Sequence, residues 1–268
     1  MNTKAVMKVA IIFLGTVGTC WAGGCTGNSV GSQVKGRDVN SVEAILRELN
    51  RKTAVLKSYE GRIEYRFSQP ILESETLRKG ALYYAKCNGK SALRINFQTL
   101  KQDDEEEQAY IEHYLFDGVW LTVIDYQIKE VKLYQLAEAN EPVDAFELVS
   151  KNFPIIGFSK AEDLKREFEI KLVEQAQAEP SEFIHLHLKV KPDSIYKDDY
   201  TSVDFWIDKE LYLPARIVAV SAEEDIYQIR FLDAKVNEKL ERGVFDFKIP
   251  EGFGEPEIIP LKKTKKGN

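Results

Sequence analysis

Runs in which apolar and polar residues alternate one by one recur from Tyr59 to Ile249, and they constrain this chain more than any other feature. The stretch from Tyr200 to Phe253 holds four of them. Val203, Phe205 and Ile207 alternate with Asp204, Trp206 and Asp208. After the turn Asp208-Lys209-Glu210, Leu213–Val220 runs back. Tyr227, Ile229 and Phe231 then alternate with Gln228 and Arg230, and Phe245, Phe247 and Ile249 with Asp246 and Lys248. Successive side chains of a strand point to opposite faces, so each run has one greasy and one wet face. A meander of such strands is an antiparallel sheet covered on one side only.

The first half repeats the pattern. Ile63, Tyr65 and Phe67 alternate with Arg62, Glu64 and Arg66, and Leu93, Ile95 and Phe97 with Arg94 and Asn96. Strands are also expected at 77–86, 110–116, 119–125 and 128–136, with Asn88-Gly89 and Asp117-Gly118 as hairpin turns. Nothing in composition separates the halves, so one continuous sheet of about 11 strands is expected. A helix over 40–57 precedes it, with Val42, Ile45, Leu46, Leu49 and Leu56 at helical spacing. Asn40 and Glu43 have the spacing of a capping box.

Residues 141–168 break the alternation. Two short helices flank the link Asn152-Phe153-Pro154-Ile155-Ile156-Gly157-Phe158, too apolar for a loop facing water. Such a link covers apolar surface, either a fixed core or a cavity. Phe146, Phe153, Ile155, Ile156, Phe158 and Leu164 are its candidate covering residues.

The N-terminus reads as an export signal over residues 1–24. Lys4 and Lys8 precede an apolar run, Val9–Val17, too short to anchor stably in a bilayer. Cleavage after Ala22 suits one processing route. In the other, Trp21-Ala22-Gly23-Gly24-Cys25 is a bacterial lipobox, and Cys25 is the lipid attachment point. Residues 25–39 form a Gly- and Ser-rich tether, 40–253 the folded domain, and 254–268 a basic tail. Cys87 alone lies in the folded part, which suits a small packed hydrophobe and excludes a disulfide framework.

A formal net charge of −6 without a basic groove argues against nucleic acid. No phosphate loop, His-Glu-x-x-His, nucleophile elbow or Cys-x-x-Cys occurs, and no cofactor or metal is expected. His185 and His187 share a strand face and lack an evident third ligand. Asp103–Glu107 reads as a solvated acidic turn without the spacing of a calcium loop.

The order of signal, helix, strands, greasy link and more strands resembles the LolA/LolB-like family of bacterial lipoprotein-sorting proteins. The resemblance covers about residues 40–253. It rests on the helix leading into Tyr59-Glu60-Gly61-Arg62-Ile63-Glu64-Tyr65, on Phe205-Trp206-Ile207-Asp208 with Leu213-Pro214-Ala215-Arg216, and on the ending 245–253. It implies a mainly antiparallel half-open β-barrel with an N-terminal helix and short lid helices over an apolar cavity. It also implies a monomeric, non-enzymatic function in the periplasm or at the periplasmic face of the outer membrane. The partners would be acyl chains of lipoproteins or lipids, and envelope sorting proteins. Lipidation at Cys25 would fit the membrane-anchored receptor branch, and the chain is longer than a minimal carrier. Alternation alone nominates the cavity lining: Ile63, Tyr65, Phe67, Leu93, Ile95, Phe97, Phe205, Ile207, Ile229, Phe231, Phe245 and Phe247. The same alternation suits a filled core on a module that recognises a protein partner through its surface.

Overall fold

A computed structural model of the chain describes residues 41–87, 90–145, 161–173 and 182–261. Outside them lie the expected signal and tether with Cys25, the Asn88-Gly89 turn, the side chain of Cys87, and the lid candidates Phe146, Phe153, Ile155, Ile156 and Phe158.

Helix α1 spans Val42–Ala54 and buries Ile45, Leu46 and Leu49. Its N-cap is Ser41, whose hydroxyl accepts from the Ala44 amide at 3.3 Å. The expected capping box does not form. With Ser41 as cap, Ala44 stands where the reciprocal glutamate is needed, and Glu43 instead pairs with Lys165 at 3.0 Å.

The strands are β1 (Ser58–Gln69), β2 (Ser74–Cys87), β3 (Lys90–Gln102), β4 (Gln108–Phe116), β5 (Trp120–Asp125) and β6 (Glu130–Gln135). A short helix, α2 (Ala161–Glu167), leads into β7 (Phe168–Leu172), β8 (Phe183–Val190), β9 (Tyr200–Asp208), β10 (Pro214–Ser221) and β11 (Ile226–Val236), with β12 (Glu257–Ile259) near the end. All twelve belong to one sheet in the order β12-β6-β5-β4-β3-β2-β1-β11-β10-β9-β8-β7. Every pairing is antiparallel except β12 with β6. The halves meet where β1 pairs with β11, setting Ile63 opposite Phe231, Tyr65 opposite Ile229 and Phe67 opposite Tyr227. The edge strands β12 and β7 do not pair, so the sheet is a half-open barrel.

Registers place each strand's apolar parity on one face. Across β1, β2 and β3, Ile63 faces Gly80 and Gly80 faces Phe97; farther along, Tyr65 faces Arg78 and Arg78 faces Leu100. At Gly80 the β2–β3 register shifts, and a Cβ there would lie 2.0 Å from the Asn96 carbonyl oxygen. Only glycine lets the two backbones come so close. On the concave face, Ile63, Phe67, Leu82, Tyr84, Phe97, Phe116, Val203, Ile207, Ile217 and Ile229 join Leu46 of α1 and Leu164 of α2 in one buried core.

The C-terminal segment departs from expectation. Residues 245–249 form no strand. They run on the opposite, convex side, where Arg94 donates to the carbonyls of Val244 at 2.9 Å and Asp246 at 3.2 Å. Phe253 continues the strap edge-on to Tyr126, which in turn packs edge-on to His113. Beyond it β12 joins the sheet, inside a stretch expected to be free tail.

Candidate ligand-binding face

The concave face is set by strand parity, and residues of α1, Leu164 of α2 and Ala145 pack against it. There Ala145 donates its amide to Ser91 Oγ at 2.6 Å, and Val143 to the Gly118 carbonyl at 2.8 Å. Ten of the twelve nominated lining residues lie on it. Ile63, Phe67, Phe97, Phe205, Ile207 and Ile229 are buried in the common core, while Tyr65, Leu93, Ile95 and Phe231 are half-buried against it. Phe245 and Phe247 are the exceptions. Their segment belongs to the convex strap, so their alternation does not mark a strand of this face. Leu164 is buried against the core, at 4% exposure.

Alternation at a single strand missed the polar part of the face. Arg78 is 8% and Glu112 0% exposed, and Arg78 Nη1 donates to Glu112 Oε2 at 2.5 Å. The sequence signal was parity: Arg78 shares a face with Leu82 and Tyr84, and Glu112 with Tyr114 and Phe116. Arg78 also sits over the Tyr110 ring, 5.3 Å from its centre. Burial pushes the Glu112 carboxyl upward, against the pull of Arg78. Burial works against the Arg78 charge too, but Glu112 and the surrounding tyrosines hold its pKa above the usual value. Burial raises Tyr114 well above the usual phenol range and Tyr65 likewise, while Tyr227 is pushed up to about 12. These phenols stay neutral and present hydroxyls within an otherwise apolar surface.

The convex face carries a second cluster. His185 Nε2 and His187 Nδ1 lie 2.7 Å and 3.0 Å from the same oxygen, Asp204 Oδ1. The carboxylate across the strand pair thus bridges the two imidazoles. Trp206 stacks on His185 with centroids 4.2 Å apart, and the Arg216 guanidinium lies 4.3 Å from the Trp206 ring centre. Among the described residues, no group of three or more His, Cys, Asp or Glu is arranged to hold a metal ion. None of the described helices is long and apolar enough to cross a membrane. The Asp103–Glu107 turn is exposed, and Glu107 pairs with Lys79 at 2.5 Å.

No protein-family model matches the sequence, and no curated protein matches it. Solved structures similar in outline include the following three. MucB is 10% identical, with 78% of this chain and 64% of MucB covered at a TM-score of 0.47. An uncharacterized conserved protein of Thermus thermophilus is 9% identical, with coverages of 82% and 98% and a TM-score of 0.46. A LolA superfamily protein of Nitrosomonas europaea is 14% identical, with coverages of 76% and 96% and a TM-score of 0.34.

Proposed function

We propose that this chain is a non-enzymatic protein of the bacterial envelope that takes acyl chains of lipids or lipoproteins onto its concave face and passes them on. One observation carries the reading: an open sheet presents a continuous apolar face across both halves, and Tyr65, Leu93, Ile95 and Phe231 on it are only half covered. Moving an acyl chain from water onto such a face is favourable by about 0.8 kcal/mol per methylene. Affinity comes from that transfer alone, and no bond is made or broken. The apolar link 152–158 serves as a lid in this reading, and its opening must cost less than the cargo returns. Anchoring through Cys25 would make the protein a receptor at the membrane, and its absence a soluble carrier.

The test compares native and denatured masses of the full chain carrying Cys25→Ser, so that an anchor cannot be mistaken for cargo, purified without detergent. A native excess equal to a fatty acid or phospholipid supports the reading. Equal masses, with no uptake of added lipid, overturn it. Phe153→Asp and Phe158→Asp separate lid from core: each should weaken acyl binding while leaving the unfolding midpoint near the parent's, and unfolding instead removes the lid.

A second reading makes the convex face a recognition surface for an envelope protein. The half-buried His185–Trp206–Arg216 stack favours it, because aromatic and guanidinium groups are enriched where partners dock. A chain that holds no lipid but loses a partner on Trp206→Ala would establish it.

A further inference from the structure

We infer that the Arg78–Glu112 pair is a head-group seat that reads the oxyanion at the end of an acyl chain lying in the concave face. The inference rests on the acyl-binding reading and names its ligand more closely: an anionic amphiphile, not a neutral one.

The argument starts from what a buried ion pair is worth. Such a pair contributes little to stability over an apolar pair of the same size, because desolvation offsets the attraction. Placing one in the middle of a greasy face therefore calls for another reason. The hydrogen bonding around it is also incomplete. A guanidinium has five N–H donors. Among the described residues, Arg78 makes one hydrogen bond, to Glu112 Oε2. Tyr114 lies close enough to Glu112 to favour the charged carboxylate, yet neither Glu112 Oε1 nor Tyr114 Oη has a partner of hydrogen-bonding geometry. Both groups are buried, at 0% and 5% exposure. Native structures rarely leave buried polar atoms unmatched.

The unused groups share one place. Arg78 stands between Tyr65 and Leu100 across its two strand pairings, and Glu112 stands opposite Phe97. Phe97 in turn packs edge-on to Tyr114 with centroids 6.2 Å apart. The Arg78 guanidinium, with one N–H on Glu112, thus offers further donors at a patch walled by aromatic and aliphatic side chains. A carboxylate or phosphate ester fits such donors, which form strong, charge-assisted bonds to it. A free hydrated ion would be stripped of water there without compensation from the walls, whereas an acyl chain supplies that compensation. Glu112 holds the guanidinium in position through their hydrogen bond.

The experiment measures displacement of an apolar fluorescent probe from the full chain carrying Cys25→Ser. The competitors are dodecanoate, dodecyl phosphate, dodecanol and inorganic phosphate. The two anionic amphiphiles should compete at least about tenfold more tightly than dodecanol, and inorganic phosphate should not compete. Arg78→Met/Glu112→Leu removes both charges together, so neither is left buried alone. It should close the gap between anionic and neutral amphiphiles while retaining dodecanol binding. Arg78→Lys keeps a charge for Glu112 but loses the planar fork, and should narrow the gap without unfolding the chain. Three results overturn the seat. Anionic and neutral amphiphiles binding the parent equally removes it and leaves the acyl reading standing. A gap that persists in the double variant places the recognition elsewhere. Inorganic phosphate competing as well as dodecyl phosphate makes it a site for free ions. If no amphiphile displaces the probe, the acyl-binding reading falls with it.

Discussion

Ile217 and Val218 are neighbours on β10, yet Ile217 is wholly buried on the concave face and Val218 is half-buried on the convex one. The same contrast runs along the long strands. The concave side of β1 carries Ile63, Tyr65 and Phe67. Its convex side carries Glu64, paired with Arg230 at 3.0 Å, and Glu60, paired with Lys235 at 3.2 Å. On the concave face a polar group is the exception that demands a reason, as with Arg78 and Glu112. On the convex face the exception is a covered or stacked group, as with His113 under Tyr126 or Trp206 between Arg216 and His185. The comparison teaches that one backbone pattern supports two energetic regimes. Burial governs one side, where each change is felt in full. Solvent screening governs the other, where most changes are not.

The largest effect should come from breaking the concave exception. Arg78→Met alone leaves Glu112 buried without its counter-charge and should lower stability by about 4 kcal/mol in urea unfolding. Removing Arg78 takes away the larger of the two influences, Arg78 and Tyr114, that lower the Glu112 pKa. A carboxyl whose folded pKa is raised is stabilising in its protonated form, and that contribution is lost as pH rises through the folded value. The deficit of Arg78→Met should therefore widen from acid toward neutral pH. A deficit independent of pH would show that Glu112 does not sense Arg78. Next comes Gly80→Ala, whose Cβ would meet the Asn96 carbonyl at 2.0 Å; a loss of about 3 kcal/mol or more is expected from overpacking against backbone, and an unchanged midpoint would mean that β2 and β3 can part there.

A smaller effect tests the covered part of the convex face. Burial, helped by Arg94, lowers His113 from 6.5 to about 4. A histidine with a lowered folded pKa contributes stability that is present above its unfolded value and lost as pH falls toward the folded one. His113 is partly exposed, so the contribution is discounted to about 2 kcal/mol. His113→Gln should flatten the acid limb of the stability curve between 6.5 and about 4. An equally steep limb would place the acid sensitivity elsewhere. The smallest effect is expected from Arg62→Ala, which removes an exposed pair with Asp233 on the screened side and should leave the unfolding midpoint where it was.

Strand parity was readable without any structure because its period is two and its cost of error is high: slipping a register by one residue exchanges the two faces. That is why ten nominated residues share one face. The ending misled for a related reason. Phe245, Phe247 and Ile249 have the period of a strand, but alternation says nothing about whether a backbone partner is free. Arg94 supplies hydrogen bonds to that segment's carbonyls and holds it as a strap, and the edge partner of β6 went instead to Glu257–Ile259. The helix start also differed by one residue, with Ser41 taking the capping place expected of Asn40.

Local patterns alone were enough to set most of the antiparallel strands and the amphipathic helix, because backbone sterics and side-chain alternation act over a few residues. Which strands become neighbours is a long-range matter, and the β1–β11 pairing joins segments far apart in the chain. The same holds for Arg78 with Glu112 and for Asp204 with His185 and His187. Their meeting depends on pairing register across strands, which no single run of residues encodes, so folding alone placed a charged pair inside the greasy face and an imidazole pair outside it.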